Sequence, residues 1–107
     1  MNPEQALETI KKDVTENRLF LYMKGTPEQP MCGFSAQVVQ LLHKHGITDL
    51  KSRNVMDEWE IREGVKKFTN WPTIPQLYVD GKFIGGCDIL MDMDRKGSLA
   101  AAIKAES

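Results

Sequence analysis

The sequence predicts an α/β fold in which one four-stranded mixed β-sheet is flanked by helices on both faces. Three observations carry that expectation. Residues 19–23 (Leu-Phe-Leu-Tyr-Met) form a short, wholly apolar run, the pattern of a strand buried on both sides. Apolar residues recur at helical spacing before and after it. Two further β-type runs are joined by Asp80-Gly81, a tight-turn signal that makes them neighbours in one sheet.

The elements follow in order. Asn2 suits a helix N-cap and Pro3 the first turn, while Ala6, Ile10 and Val14, with Leu7 beside them, form one apolar stripe up to Asn17. The strand at 19–23 runs into a Gly- and Pro-containing loop, Gly25 to Met31. A second helix opens at Cys32-Gly33, carries Phe34, Val38, Leu41, Leu42 and His45 along one side, and stops at Gly46. A strand with interleaved charge is expected over residues 50–55, and a third helix over 59–68 with Ile61, Val65 and Phe68 on one face. Prolines exclude helix from Trp71-Pro72-Thr73-Ile74-Pro75. The hairpin takes Leu77 to Val79 and then Phe83-Ile84, Gly85-Gly86 breaks its second strand, and Asp88 is placed to cap a last helical region that Gly97 divides. One mixed sheet covered by helices accounts for this order.

A length of 107 residues predicts a single domain over residues 1–107. The net charge of −1, with both signs scattered, argues against a nucleic-acid partner. No apolar run is long enough to cross a bilayer, so no membrane partner is expected. Residues 1–10 have neither a signal core nor a transit-peptide character. A cytoplasmic protein is therefore expected, and a mature organellar form would look the same. Two cysteines without a disulfide framework fit a reducing compartment. His43 and His45 stand two apart on a helix and far in sequence from either cysteine. They are poor zinc ligands, and both read as solvated helix residues.

Cys32 is the principal candidate for chemistry. A residue where a loop meets a helix faces unpaired N–H groups and a partial positive charge, which favour thiolate over thiol, and Lys24 adds a cation near the same strand end. A buried structural cysteine is the competing reading. Its flanks, Pro30, Gly33 and Ser35, do not form the apolar run that reading needs.

Four stretches together resemble a known family. Met23-Lys24-Gly25, Cys32-Gly33-Phe34-Ser35, Trp71-Pro72-Thr73-Ile74-Pro75-Gln76 and Gly85-Gly86-Cys87-Asp88 are similar, in order and spacing, to the signatures of monothiol glutaredoxins of the CGFS type. The resemblance runs from about Leu19 to Leu90. It implies a thioredoxin-like fold, glutathione as ligand, and a 2Fe-2S cluster bridging a homodimer that is monomeric when apo. It further implies cluster transfer to apo iron–sulfur proteins or iron sensing, with BolA-like partners. Trp59, where many relatives carry proline, and the acidic Met91-Asp92-Met93-Asp94 depart from the family pattern. Both bear on partner surface and dimer geometry.

The residue chemistry can be set beside that implication. Ser35 stands where a dithiol oxidoreductase has its second cysteine, and a serine hydroxyl does not attack a mixed disulfide. What is left is a thiolate that can be glutathionylated or can bind a soft metal. A 2Fe-2S cluster takes four ligands, so Cys32 from each of two chains and two glutathione thiolates complete the set. For glutathione itself, Lys24, Arg62 and Lys66 are candidates for the glycine carboxylate. Arg62 and Lys66 lie four apart on one helix face, which without the resemblance would read as a solvated face. Thr73-Ile74-Pro75 resembles the family's cis-proline segment, where the Ile74 backbone would pair with glutathione like an added strand, with a structural proline turn as the alternative. Gly86, Cys87 and Asp88 would hold the γ-glutamyl end. Cys87 either presents its backbone N–H there or forms a disulfide with Cys32. The first is favoured, because a resolving thiol must approach and align. A glutathione-dependent monothiol oxidoreductase, removing glutathione from protein mixed disulfides, is the alternative function. That activity is expected to be weak, since the long Gly25 to Met31 loop accompanies cluster-carrying members of the family.

Overall fold

The apolar run at residues 19–23 becomes β1 (Leu19–Met23), every residue of which is buried. In this computed structural model, which describes residues 1–48 and 50–104, β1 lies inside a sheet of order β2-β1-β3-β4. Residues 49 and 105–107, part of the expected 1–107 domain, lie outside the described residues. β2 (Lys51–Asn54) runs parallel to β1, with Phe20 opposite Lys51. β3 (Gln76–Val79) runs antiparallel on the other side, with Leu21 opposite Leu77, and β4 (Lys82–Gly85) closes the hairpin. The hairpin turn places Asp80 at φ 51° and Gly81 at φ 82°, the two left-handed residues that a two-residue loop needs. The sheet is mixed, as expected.

Side-chain alternation along β1 divides the core in two. Leu19, Leu21 and Met23 face Val38 and Leu42 of α2 (Gly33–Lys44), Leu90 of α4 (Cys87–Lys96) and Leu99 of α5 (Leu99–Ile103). Phe20 and Tyr22 face Ala6, Ile10 and Val14 of α1 (Pro3–Glu16) and Ile61 and Val65 of α3 (Trp59–Thr69). Helices therefore cover both faces of the sheet. The α1 start is a capping box in which the Asn2 side chain accepts from Gln5 N–H and the Gln5 side chain accepts from Asn2 N–H. Asp13 of α1 takes both Nε and Nη2 of Arg53 at 2.8 Å and accepts the Tyr22 hydroxyl at 2.9 Å, and Glu58 completes the cluster at 3.1 Å. Burial and the Asp13 carboxylate hold the Tyr22 phenol protonated far above its usual range. The network ties α1, β1, β2 and the start of α3 together with hydrogen bonds that leave few buried polar atoms unpaired.

Four expectations are corrected here. His45 is not a solvated residue: its Nε2 lies 2.6 Å from Asp94 Oδ1, and Lys44 Nζ lies 2.9 Å from the other carboxylate oxygen, so the end of α2 is latched to α4. His43 is exposed, as expected. Leu7 is exposed beside the α1 stripe, on the side turned away from the sheet, and Phe68 is exposed at the end of the α3 face formed by Ile61 and Val65. Phe34 leaves the α2 stripe altogether and is 58 % exposed. The reason is position: the first turn of α2 lies level with Lys24, beyond the last residue of β1, where no sheet remains to pack against.

Candidate active-site cleft

Cys32 is the N-cap of α2, with the extended backbone of that position (φ −154°, ψ 139°). A side chain there faces the N–H groups of the first helical turn. The Ser35 N–H is the strongest influence pulling the Cys32 thiol below its ordinary range. Partial burial opposes it, and the Phe34 N–H, the Lys24 ammonium and the Ser35 hydroxyl add to it. The helix start and Lys24, the two influences expected from the sequence, both contribute. Ser35, expected only as the replacement for a second thiol, has a further role that the sequence alone does not establish. That side chain is fully buried, and its hydroxyl oxygen accepts from Lys24 N–H at 3.1 Å. With its oxygen so engaged, the hydroxyl proton is free to favour the neighbouring thiolate. A serine three positions after the cysteine, one helical turn on, is the signal the sequence offers.

The loop before Cys32 is held at both ends. Met31 N–H donates to Lys24 O (2.9 Å), Thr26 and Gln29 exchange backbone hydrogen bonds, and Gly25 N–H donates to the Asn54 side chain (2.9 Å). On the opposite wall, the Ile74–Pro75 bond is cis, as the family resemblance implied. Gln76 braces that turn from within the core: its amide donates to Trp71 O (3.1 Å) and Thr73 O (3.2 Å), and its carbonyl accepts from Thr69 (3.2 Å) and Tyr78 (3.0 Å). A polar residue opening an otherwise apolar strand was the sequence signal for that role. α4 begins at Cys87 with Gly86 as its N-cap, so Asp88 is not the cap expected for it; its exposed carboxylate lies in the first turn instead. Gly86 already supplies the extended N-cap conformation, one residue earlier than the aspartate can.

These walls enclose a cleft of about 390 Å³. Lys24, Cys32, Arg62, Lys66, Thr73, Ile74, Pro75, Gly86, Cys87 and Asp88 all line it, joined by Phe34, Trp71, Pro72 and Ile89. The sequence motifs, spread over more than sixty positions, thus converge on one surface. Two donors in or beside the cleft, Arg62 Nε and Trp71 Nε1, are buried without a partner among the described residues, and a buried donor left unpaired costs about 1–3 kcal/mol. Lys66 Nζ lies 3.3 Å from Glu63. Cys87 is unlike Cys32. It is buried, its thiol is directed at Gln37 Oε1 (3.2 Å), and burial, with Asp88 and Cys32 adding to it, pushes its thiol up.

Ser35→Ala is expected to shift the pH midpoint of Cys32 alkylation upward. The substitution removes one of the groups favouring the anion, so the thiolate fraction falls at a given pH below the midpoint. Leaving Lys24 N–H without its partner should also cost about 1–3 kcal/mol in urea unfolding. An unchanged alkylation profile would remove the hydroxyl from the site.

The family model described as Glutaredoxin matches residues 19–84. The chain is 50 % identical to the Glutaredoxin-related protein 5, mitochondrial, of Danio rerio over 91 % of its own length, and spans 60 % of that relative. It is 41 % identical to the Probable monothiol glutaredoxin 2 of Rickettsia typhi over its whole length and 96 % of that protein. Among solved structures, a reduced apo glutaredoxin from poplar superposes with a TM-score of 0.82 at 41 % identity, covering 96 % of this chain and 94 % of that one. A buckwheat glutaredoxin–glutathione complex gives 0.82 at 26 % identity, with 94 % and 89 % covered. The order of elements, the cis-Pro wall facing an N-capping cysteine, and the serine in place of a second thiol agree with these likenesses, and the chain belongs to the monothiol glutaredoxins.

Proposed function

We propose that this protein holds a 2Fe-2S cluster, as cargo, between two copies of the chain and passes it to apo iron–sulfur proteins, with glutathione supplying half of the ligands. The observation that carries this reading is a Cys32 thiol, drawn toward its anion by the start of α2, on a cleft whose buried donors, Arg62 Nε and Trp71 Nε1, have no partner among the described residues. Such donors suit an anionic, acceptor-rich ligand, and both ends of glutathione carry carboxylate. Gly86 packs closely against the cis-proline wall, where an added Cβ would lie 3.1 Å from Pro75 O and 3.3 Å from Trp71 Nε1. A glutathione complex is known for the buckwheat relative.

In this reading Arg62, Lys66 and Lys24 hold the glycine carboxylate, the Ile74 backbone beside cis-Pro75 takes the peptide like an added strand, and Gly86, Cys87 and Asp88 hold the γ-glutamyl end. Thr73 borders that strand site. The glutathione sulfur is thereby presented beside Cys32. One chain then offers two thiolates, and a second copy completes the four that the cluster takes. BolA-like proteins are candidate partners of the loaded form. Several relatives are mitochondrial proteins, so an organellar site of action stands beside the cytoplasmic one.

Anaerobic reconstitution with iron, sulfide and glutathione tests the reading. A coloured dimer that forms only when glutathione is present is expected; a colourless monomer contradicts it. The half-buried Cys32 thiol, whose anion the helix start favours, supports one second reading, a monothiol oxidoreductase in which free glutathione resolves the Cys32 mixed disulfide. Rapid turnover of a glutathionylated test substrate by protein that does not take up cluster would establish it instead.

A further inference from the structure

Arg62 projects from the first turn of α3 into the cleft, yet it enters no ion pair among the described residues. Lys66, one turn on, is partly neutralised by Glu63. The neighbour of the Arg62 guanidinium is an aromatic ring: its Cζ lies 5.9 Å from the ring centroid of Trp59. Trp59 is the first residue of α3, three positions before Arg62 and so on the same face. It is 64 % exposed, so the ring is accessible beside the guanidinium at the cleft's edge. Trp59 also borders the groove between α1 and α3, beside Leu7 and Phe68.

An aromatic face attracts a guanidinium through the ring quadrupole and leaves its N–H donors and full charge available. A carboxylate in the same place would orient the arginine equally well but would neutralise it and occupy its donors. A residue needed to receive a ligand carboxylate is therefore better held by a ring than by an acid. We propose that Trp59 is a positioning residue that holds Arg62 ready for the glycine carboxylate of glutathione. This rests on the functional reading above, in which Arg62 meets that carboxylate.

The test is the equilibrium between Cys32 thiolate plus oxidised glutathione and the Cys32–glutathione mixed disulfide plus glutathione thiolate, read by intact-protein mass at fixed ratios of the two glutathione forms. Trp59→Leu is expected to lower the equilibrium constant about two- to fivefold, the range of an exposed cation–π contact. Trp59→Phe, which keeps a ring, should recover most of that loss. In an Arg62→Ala background, Trp59→Leu should cost nothing further, an effect that general destabilisation of α3 would not produce. If Arg62→Ala lowers the constant and Trp59→Leu does not, or if the two losses add, this role is overturned while the functional reading stands. If Arg62→Ala itself changes nothing, the assignment of Arg62 to glutathione fails, and the role of Trp59 with it.

Discussion

Cys32→Ser is expected to abolish the rapid reaction of the native protein with iodoacetamide and to leave only a slow phase. The surroundings push the two thiols in opposite directions. Hydrogen bonding from the first turn of α2 favours the Cys32 anion, whereas burial disfavours the Cys87 anion. Cys87 should therefore label more slowly by a factor on the order of ten or more. Removing Cys32 also removes a neighbouring negative charge from Cys87, but burial is the larger influence there, so the slow phase should stay slow. The wild-type fast phase should persist to lower pH than for an ordinary cysteine, because a depressed thiol is still ionised there. A fast thiol surviving in Cys32→Ser would make Cys87 the reactive residue. The same variant should retain no cluster after reconstitution.

Gly25→Ala is expected to give the largest loss of stability from a single added methyl group. Gly25 has φ +88°, a conformation that costs a side-chain-bearing residue about 1–2 kcal/mol. Its added Cβ would lie 2.5 Å from Gln29 O and 2.6 Å from Met31 N, both main-chain atoms. The loop has little room to give way, because Lys24 O, Asn54 Oδ1 and the Thr26–Gln29 pair fix it. Overlap of that kind adds about 1–3 kcal/mol, for a total of about 2–5 kcal/mol in urea unfolding. The displaced Met31 would also carry Cys32 away from Ser35, so the alkylation midpoint should rise. An unchanged unfolding midpoint would show that the loop rearranges freely and does not position Cys32.

The fold was legible because its signals are local and strong. A five-residue apolar run closed by a Gly- and Pro-containing loop is too short for a helix and suits a strand buried on both faces, and Asp80-Gly81 leaves the following strand one place to go. The site was legible in its members but not in its mechanics. Cys32 could be placed at a helix start from Pro30 and Gly33, whereas the Ser35 hydroxyl accepting from Lys24 N–H depends on how α2 meets the end of β1. Gln76 is one letter in a motif until its amide is seen spanning Trp71 and Thr73. His45 shows the opposite failure. Its helical spacing gave no hint of Asp94, forty-nine positions away on a helix packed beside it. The contact between Trp59 and Arg62 was within reach of i, i+3 spacing, but nothing in that spacing ranks a ring above the many exposed side chains nearby.

The proposal makes Cys32 half of one protein's contribution to a shared cluster, and its composition is the most direct thing to measure. Native mass spectrometry of the anaerobically reconstituted protein should show two chains, two glutathione molecules and one 2Fe-2S unit. Stripping the glutathione should return apo monomers. A cluster carried by a single chain, or a loaded dimer that contains no glutathione, would contradict it.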